Sequence, residues 1–158
     1  MASGGDVAAA ERALERLFRL TVNRKVHTRQ TAAVGVDVTR AGYAVLRTVD
    51  ELGEATMGEI ARQCSMDPAA AGRQVKALED DGLVERNADD GDARVTVVRL
   101  TTAGRDVYRR IVAVRTAHMT EVLATWPAAD RAALARLVDR LVDDLKAVPF
   151  RPTRAKGA

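Results

Sequence analysis

Apolar residues recur at helical spacing over long segments at both ends of this 158-residue chain. Side chains three or four positions apart predict a first amphipathic helix over about residues 7–30. A long helix is expected from about residue 101 to the Trp126-Pro127 pair, which breaks it. A last helix is predicted from a strong apolar stripe formed by Leu134, Leu137, Val138, Leu141, Val142 and Leu145. Such stripes must be buried, either in a two-fold dimer or in a bundle within the chain.

Shorter helices with clear start and stop signals occupy the centre of the chain. Thr39 fits the N-cap of a helix that ends at Gly53. The pattern Thr56-Met-Gly-Glu59 is that of a capping box, in which each of the two side chains binds the backbone of the other residue. It predicts a short helix that ends near Ser65.

The stretch DPAAAGRQVKALEDDGLVER predicts another helix and the strand that follows it. Asp67 can act as the N-cap, Pro68 suits the first helical position, and Asp81-Gly82 supplies a stop. The inward side chains are predicted to be Ala71, Val75 and Leu78. Two runs at 83–86 and 94–100 then have strand character, and the turn-rich loop NADDGDA between them predicts a β-hairpin.

Two short helices joined by a tight turn and followed by a hairpin form the plan of a winged helix-turn-helix, whose second helix enters the DNA major groove. The predicted fold class is therefore mainly α with a small β-hairpin wing, flanked by N- and C-terminal dimerisation helices. We expect an N-terminal dimerisation helix over residues 1–38 and a DNA-binding region over 39–100. C-terminal dimerisation helices are expected over 101–148, and a disordered tail over 149–158.

Composition and charge narrow the class of function. Hydrophobic residues make up 47% and charged residues 30%, as in globular proteins. The net charge is +3, yet residues 56–100 hold six Lys or Arg against nine Asp or Glu. Nucleic-acid binding must therefore depend on a few well-placed arginines rather than on a general positive field. No apolar run approaches the roughly 18–20 residues of a membrane span, and no signal peptide is present, so cytoplasmic residence is expected.

Signatures of catalysis and of metal binding are absent from the sequence. There is no local Ser/His/Asp signature, no phosphate-binding glycine loop and no pair of His or Cys ligands. Cys64 is the single cysteine, which excludes an intrachain disulfide. We expect it to be a small core residue rather than a redox switch. The protein is predicted not to be an enzyme and to require no cofactor and no metal.

The block GEIARQCSMDPAAAGRQVKALEDDGLVERNADDGDARVTVVRLTTAGR resembles the core of the MarR family of transcriptional regulators. The resembling features are the GEIA opening, RQVKALEDDGLVER, the wing pattern Asp-Gly-Asp-Ala-Arg at 90–94 and the LTTAGR exit into a helix. The resemblance extends more weakly over about residues 10–147. It implies a homodimer with intertwined terminal helices that binds a roughly palindromic operator in double-stranded DNA, usually as a repressor.

Candidate DNA contacts lie on the capped helices and on the wing. Arg73 suits guanine and Gln74 suits adenine, whereas Lys76 is better suited to phosphate. The resemblance places the wing arginine of the family at Arg94, which Asp92 is expected to orient. The predicted DNA contacts are Thr56, Asp67, Ala69, Ala70, Gly72, Arg73, Gln74, Lys76, Arg86 and Arg94.

Each charged candidate also has a plainer interpretation as a solvated side chain, and Gln74 can instead lie beside the core stripe. Members of the family commonly have Ser or Thr where this chain has Ala69, Ala70 and Gly72. The alanine methyls either contact thymine methyls, or this turn reads bases weakly. A competing hypothesis is a protein–protein interaction module that keeps the winged helix without reading DNA.

The resemblance also implies a ligand site, since the family often binds small aromatic anions between its dimerisation helices and its winged helix. By their positions in the sequence, the candidates for lining this site are Asn23, His27, Tyr43 and Arg47. The alternative for all four residues is ordinary packing or surface exposure.

Overall fold

The computed structural model of the protein describes residues 4–21, 31–32, 34–88 and 95–148. Its elements, in chain order, are α1 (Gly4–Thr21), α2 (Arg40–Leu52), β1 (Glu54–Thr56), α3 (Met57–Gln63), α4 (Pro68–Asp80), β2 (Val84–Ala88), β3 (Thr96–Leu100), α5 (Thr102–Val122) and α6 (Ala128–Ala147). This mainly helical fold with a small antiparallel sheet confirms the predicted fold class.

The chain divides into two compact units, of which one ends at Thr116 and the other begins at Ala117. This boundary differs from the predicted functional segments, which stay a prediction. Residues 22–30 of the expected first helix and the tail 149–158 lie outside the described residues. The helix expected to reach the Trp126-Pro127 pair ends earlier, at Val122.

The start signals in the sequence act as helix caps. At α2, the Thr39 hydroxyl accepts a hydrogen bond of 2.9 Å from the Gly42 N–H. At α3, Thr56 Oγ accepts from the Glu59 N–H at 3.3 Å, and the Glu59 carboxylate accepts from the Thr56 N–H at 2.8 Å. This completes the predicted capping box, and Gly53, at φ 80°, ends α2 as expected.

The sheet contains one strand that the sequence pattern did not predict. β1 has only three residues, too few to show an alternating pattern. The strand order is β1-β3-β2, and both pairings are antiparallel. Glu54 lies opposite Arg99, and the Arg99 Nε donates to its carboxylate at 2.6 Å. The predicted hairpin is thus widened into a three-stranded sheet that begins directly before α3.

The core of the first unit lies between the sheet and helices α2 to α5. The predicted inward residues of α4 are all buried, and they pack in one cluster with residues from α2, α3 and α5. Its largest fully buried side chains are Leu46, Ile60, Ile111, Val45, Val49, Val75 and Val98. α5 passes close to the chain before β2, where a Cβ at Gly104 would lie 1.9 Å from the Leu83 carbonyl oxygen. One face of α4 is thus packed into the core, which leaves its opposite face exposed.

The first and last helices keep apolar side chains exposed within the single chain. α6 has no buried residue, and Leu145, in its predicted stripe, is 63% exposed. On α1, the exposed large apolar residues include Leu17, Phe18 and Leu20. Most of the large apolar side chains in these two stripes are therefore exposed in the described part of the chain.

Candidate DNA-binding surface

The turn between α3 and α4 sets the direction of the second helix. It spans Cys64 to Asp67 and contains Ser65 at φ 52°, a left-handed conformation that is uncommon outside glycine. The Met66 N–H donates to the Ala61 carbonyl at 2.9 Å and closes this turn. Asp67 then accepts from the Ala70 N–H at 2.7 Å, as the sequence predicts. The second helix of the motif is therefore capped and closely coupled to the first.

α4 has a buried face and an opposite exposed face. Successive residues of an α-helix are rotated by about 100°, so residues three or four positions apart share a face. Ala69, Arg73 and Lys76 lie on the exposed face. Ala70 and Gly72 are half-buried at its flanks. Of the six predicted DNA contacts on this helix, three are thus exposed and three, including Gln74, are half-buried.

Ion pairs engage two of the predicted cationic contacts. Lys76 pairs with Asp80 one turn later on the same helix. Arg86, on β2, has its Nε 3.5 Å from the Glu79 carboxylate. Arg73 forms no ion pair with any residue that the structure describes. The sequence contains a signal for this difference that was missed, since Asp80 lies four positions after Lys76, whereas no Asp or Glu lies within five positions of Arg73.

Gln74 lies at the flank of α4 that faces the start of α2. It is half-buried, and its Oε1 accepts a hydrogen bond of 2.9 Å from the Thr39 hydroxyl. The structure therefore places Gln74 beside the core stripe, and its contact with DNA stays a prediction. Thr39 was predicted as a cap, but its contact with α4 was missed because 35 positions separate the two residues.

Thr56 is engaged in its own helix cap. Its hydroxyl hydrogen is donated to Glu59 Oε2 at 2.8 Å, in addition to the two bonds of the capping box. Hydrogen bonds from the Thr56 backbone N–H and then from its hydroxyl lower the pKa of the Glu59 carboxyl. A phosphate contact from the Thr56 hydroxyl would have to replace the bond to Glu59. Arg94 and Asp92, at the wing, lie outside the described residues.

The ligand candidates fall into two groups. Asn23 and His27 lie outside the described residues. Tyr43, on α2, has its ring centroid 5.8 Å from that of Tyr108, on α5, and the Arg115 guanidinium lies 4.6 Å from the Tyr43 centroid. Tyr108 and Arg115 were missed as neighbours of Tyr43, because the contact joins helices that are distant in sequence.

Arg47 is turned toward its own helix. Its Nε donates to Glu51 at 2.7 Å, and this hydrogen bond raises the pKa of the guanidinium. Burial raises the pKa of the Tyr108 phenol, so this phenol stays protonated at neutral pH and can donate a hydrogen bond. The described cluster thus offers two aromatic rings, a phenol donor and the Arg115 cation.

Cys64 is half-buried against the core, and its Sγ lies 3.4 Å from the Thr48 hydroxyl. Within the described ranges, no three His, Cys, Asp or Glu side chains are grouped as metal ligands. No helix in the described part of the chain is both long and apolar enough to cross a membrane.

Comparison with known proteins identifies the family. The profile of the MarR family matches residues 38–96. An HTH-type transcriptional repressor of Mycobacterium tuberculosis is 30% identical over 102 residues, covering 65% of this chain and 73% of the relative. The uncharacterised HTH-type transcriptional regulator YxaD of Bacillus subtilis is 27% identical over 120 residues, covering 76% and 84%. A solved MarR family structure from Bacillus stearothermophilus shares the fold at a TM-score of 0.76 and 20% identity, over 92% of this chain and 99% of that one. This chain belongs to the MarR family of transcriptional regulators.

Proposed function

We propose that this regulator is a dimeric, sequence-specific DNA-binding repressor of nearby genes, and that a small-molecule ligand relieves the repression. The observation that carries the proposal is α4, a capped helix whose exposed face presents Ala69, Arg73 and Lys76 away from the core. A helix in this motif fits the major groove and reads base edges with its N-terminal residues. The name of the mycobacterial relative supports repression as the direction of regulation.

Four basic residues have distinct proposed roles in DNA binding. Arg73, exposed and without an ion pair among the described residues, contacts guanine in the major groove. Lys76 and Arg86 contact phosphates after exchanging their carboxylate partners for DNA. Arg94, on the wing, reaches the minor groove or a phosphate. Base contacts specify the sequence, whereas phosphate contacts fix the position of the protein on the duplex.

The small residues at the start of α4 allow the backbone to approach the bases closely. Ala69 and Ala70 place methyl groups where thymine methyls can meet them, and Gly72 adds no side chain. Thr56 and Asp67 contribute mainly by fixing the starts of α3 and α4. DNA shape supplies the rest of the sequence preference, because few side chains of this turn can form hydrogen bonds.

Dimerisation is proposed to cover the apolar stripes of the terminal helices. The exposed side chains of α1 and α6 favour a partner that buries them, and a second copy of the chain supplies matching faces. A two-fold dimer would place two copies of α4 about 34 Å apart, the repeat of one turn of DNA. The operator is therefore proposed to be pseudo-palindromic double-stranded DNA.

The ligand is proposed to be a small aromatic or anionic molecule. Tyr43 supplies an aromatic surface next to Tyr108, and the Arg115 guanidinium above it can pair with an anion. Arg47 would join after leaving Glu51. Asn23 and His27 remain candidates for the same site.

A mobility-shift assay with the DNA upstream of the gene for this protein tests the proposal. Arg73→Ala is expected to weaken binding by about 1–3 kcal/mol and to relax base preference, whereas Arg94→Ala weakens binding to all sequences alike. Arg109→Ala, which removes an exposed arginine of α5, is the control. Absence of specific binding to any genomic fragment would refute DNA-sequence recognition.

The alternative function is a protein–protein interaction module with weak or no specific DNA binding. It is favoured by the acidic excess of residues 56–100 and by the carboxylates that pair with Lys76 and Arg86. The dependence of binding on salt separates the two functions. DNA affinity that falls steeply with salt supports the first, and partner binding that is insensitive to salt and independent of DNA supports the second.

A further inference from the structure

Lys76 is the only lysine among the residues proposed to bind DNA. The lysines of the chain are Lys25, Lys76, Lys146 and Lys156, so every other basic side chain between residues 26 and 145 is an arginine or a histidine. The amine of a lysine becomes a nucleophile when it loses its proton, whereas the guanidinium of an arginine stays protonated and does not react with acyl donors. An acyl donor can therefore neutralise a cation of this surface at Lys76 alone.

The amine of Lys76 is accessible to a reagent in solution. Its side chain is 61% exposed on the face of α4 opposite the core, and its partner Asp80 is 60% exposed. An ion pair between exposed side chains one turn apart on a helix contributes little stability and opens readily in water. Because DNA is proposed to cover this face, the amine should be accessible in the free protein and shielded in the complex.

Acylation of Lys76 would change the charge of its pair with Asp80. The lone pair of the free amine attacks the carbonyl carbon of the donor, and a C–N bond forms while the C–O bond of an acyl phosphate or the C–S bond of an acyl thioester breaks. Phosphate or thiolate leaves, and the nitrogen releases one proton to the solvent. The product is a neutral amide that has lost the salt-bridge donor, so Asp80 remains as an uncompensated carboxylate on the exposed face.

Few cations surround Lys76, so the loss of one charge has a large relative effect. Residues 67–88 contain three basic and five acidic side chains, and acylation would leave two against five. We propose that Lys76 is a site of acyl modification, at which an acyl phosphate or an acyl thioester neutralises the amine and weakens binding to DNA. The inference rests on the proposed phosphate contact of Lys76, which is part of the proposed function. The freed Asp80 adds repulsion of the DNA phosphates to the lost contact.

The site is tested by reaction of the full-length protein with acetyl phosphate and, separately, with acetyl-coenzyme A. The reaction is run at about pH 8, because the fraction of lysine amine that is free rises with pH. Mass spectrometry of peptides follows the acetylation of Lys76 and of Lys146, which is exposed at the end of α6 and outside its apolar stripe. Lys76 is expected to react in the free protein with at least one donor, which identifies the source of the acyl group. A saturating amount of the DNA fragment upstream of the gene should slow the acetylation of Lys76 and leave that of Lys146 unchanged.

The effect on DNA binding is measured with acetyl-lysine incorporated during translation. In Lys76→acetyl-lysine, the affinity should fall by at least about tenfold at about 0.1 M salt for each phosphate contact that is lost. The fall should be the same for all sequences, and the slope of log affinity against log salt should become shallower by about 1 per contact. Lys146→acetyl-lysine is the control and should bind as the wild type does. In Lys76→Arg, treatment with the acyl donor should leave the affinity at its value before treatment, because no amine is present at this position.

The outcomes distinguish this inference from the proposed function. A Lys76 that neither donor acetylates, or that DNA does not shield, overturns the inference, and so does a Lys76→acetyl-lysine variant that binds DNA as tightly as the wild type. A modified protein with altered base preference also contradicts it, because the loss of a phosphate contact weakens binding to all sequences alike. Each of these results is compatible with specific binding by the unmodified wild type. A wild type that binds no sequence specifically contradicts the proposed function itself.

Discussion

Individual hydrogen bonds and ion pairs determine which polar side chains near α4 remain available for DNA. The Thr56 hydroxyl donates to Glu59, Lys76 pairs with Asp80, and the Gln74 oxygen accepts from Thr39. These contacts compete with DNA for the side chains concerned, and giving one up reduces the net gain in affinity. Arg73 has no such partner among the described residues, so it carries the strongest expected base contact.

Gly104 is the residue at which an added methyl group should be most damaging. An alanine Cβ there would lie 1.9 Å from the Leu83 carbonyl oxygen, a backbone atom that cannot rotate away. Gly104→Ala should lower the free energy of unfolding by about 3 kcal/mol or more, measured by urea denaturation. Gly58→Ala is the control, since a Cβ at this helical position meets nothing within 4 Å. Equal stability of the two variants would contradict the close approach of α5 to Leu83.

Glu59 should make the stability of the protein depend on pH in a defined direction. Its pKa is lowered in the folded state by hydrogen bonds from Thr56, so its contribution is present above the unfolded pKa and is lost as the pH falls through the folded pKa. Glu59→Gln keeps the hydrogen-bonding shape of the capping box and removes the charge.

At pH 7 the wild type is expected to exceed Glu59→Gln in stability by roughly 0.3–1 kcal/mol, the usual range for a charge at a helix N-terminus. The difference should be smaller at about pH 3, below the unfolded pKa of about 4.3, because the contribution of the charge is lost as the pH falls toward and through the lowered pKa of the folded state. Paired denaturation curves at both pH values provide the measurement. A difference that is the same at both pH values would show that the Glu59 charge plays no part.

At the scale of elements, the start signals were the most predictable feature. Thr39, Thr56 and Asp67 cap the helices that the sequence assigned to them, because the bonds of a cap join residues only three positions apart. β1 and the Thr39–Gln74 contact could not be predicted, because both depend on segments more than thirty positions apart meeting in the folded chain. The helices that hold the candidate contacts were thus predictable, whereas the partner of each side chain was not.

Asp80 should weaken DNA binding by engaging Lys76 on the exposed face of α4. Asp80→Asn is expected to raise the affinity for DNA at low salt, because Lys76 can then contact phosphate without first giving up a carboxylate partner. Asp106→Asn is a matched control, since Asp106 also pairs with a neighbour on its helix and the two side chains are 59% and 60% exposed. Fluorescence anisotropy over a salt series measures both. An equal gain in the two variants would indicate a general charge effect rather than the release of Lys76.

At the scale of the whole molecule, the proposed dimer rests on the apolar side chains that are exposed on the terminal helices. The family regulates transcription and has no enzymatic activity, in agreement with the missing catalytic signatures. The apolar stripe of α6 was predictable from the sequence, since it follows from the helical spacing of apolar residues alone. The sequence did not show what buries this stripe, because helical periodicity is the same whether the stripe packs against its own chain or against another.

Val138→Glu should dissociate the proposed dimer. Val138 is 45% exposed in the apolar stripe of α6, and burying a carboxylate at a dimer interface is strongly unfavourable. Analytical ultracentrifugation at micromolar concentration is expected to give a dimer for the wild type and a monomer for the variant, with a parallel loss of DNA affinity. Ala132→Glu adds the same charge to an exposed position away from the stripe and should remain dimeric. A monomeric wild type, or a dimeric Val138→Glu variant, would contradict the proposed interface.

The most direct test of dimeric operator recognition is a footprint of the wild-type protein on the intergenic DNA next to its gene. The proposed function predicts a protected site with two-fold symmetry, whose half-sites lie about 10 base pairs apart, centre to centre. Arg73→Ala should protect both half-sites together, but only at a higher protein concentration than the wild type needs. Protection of a single asymmetric half-site, or of no site at any concentration that binds DNA, would contradict recognition of an operator by two copies of α4.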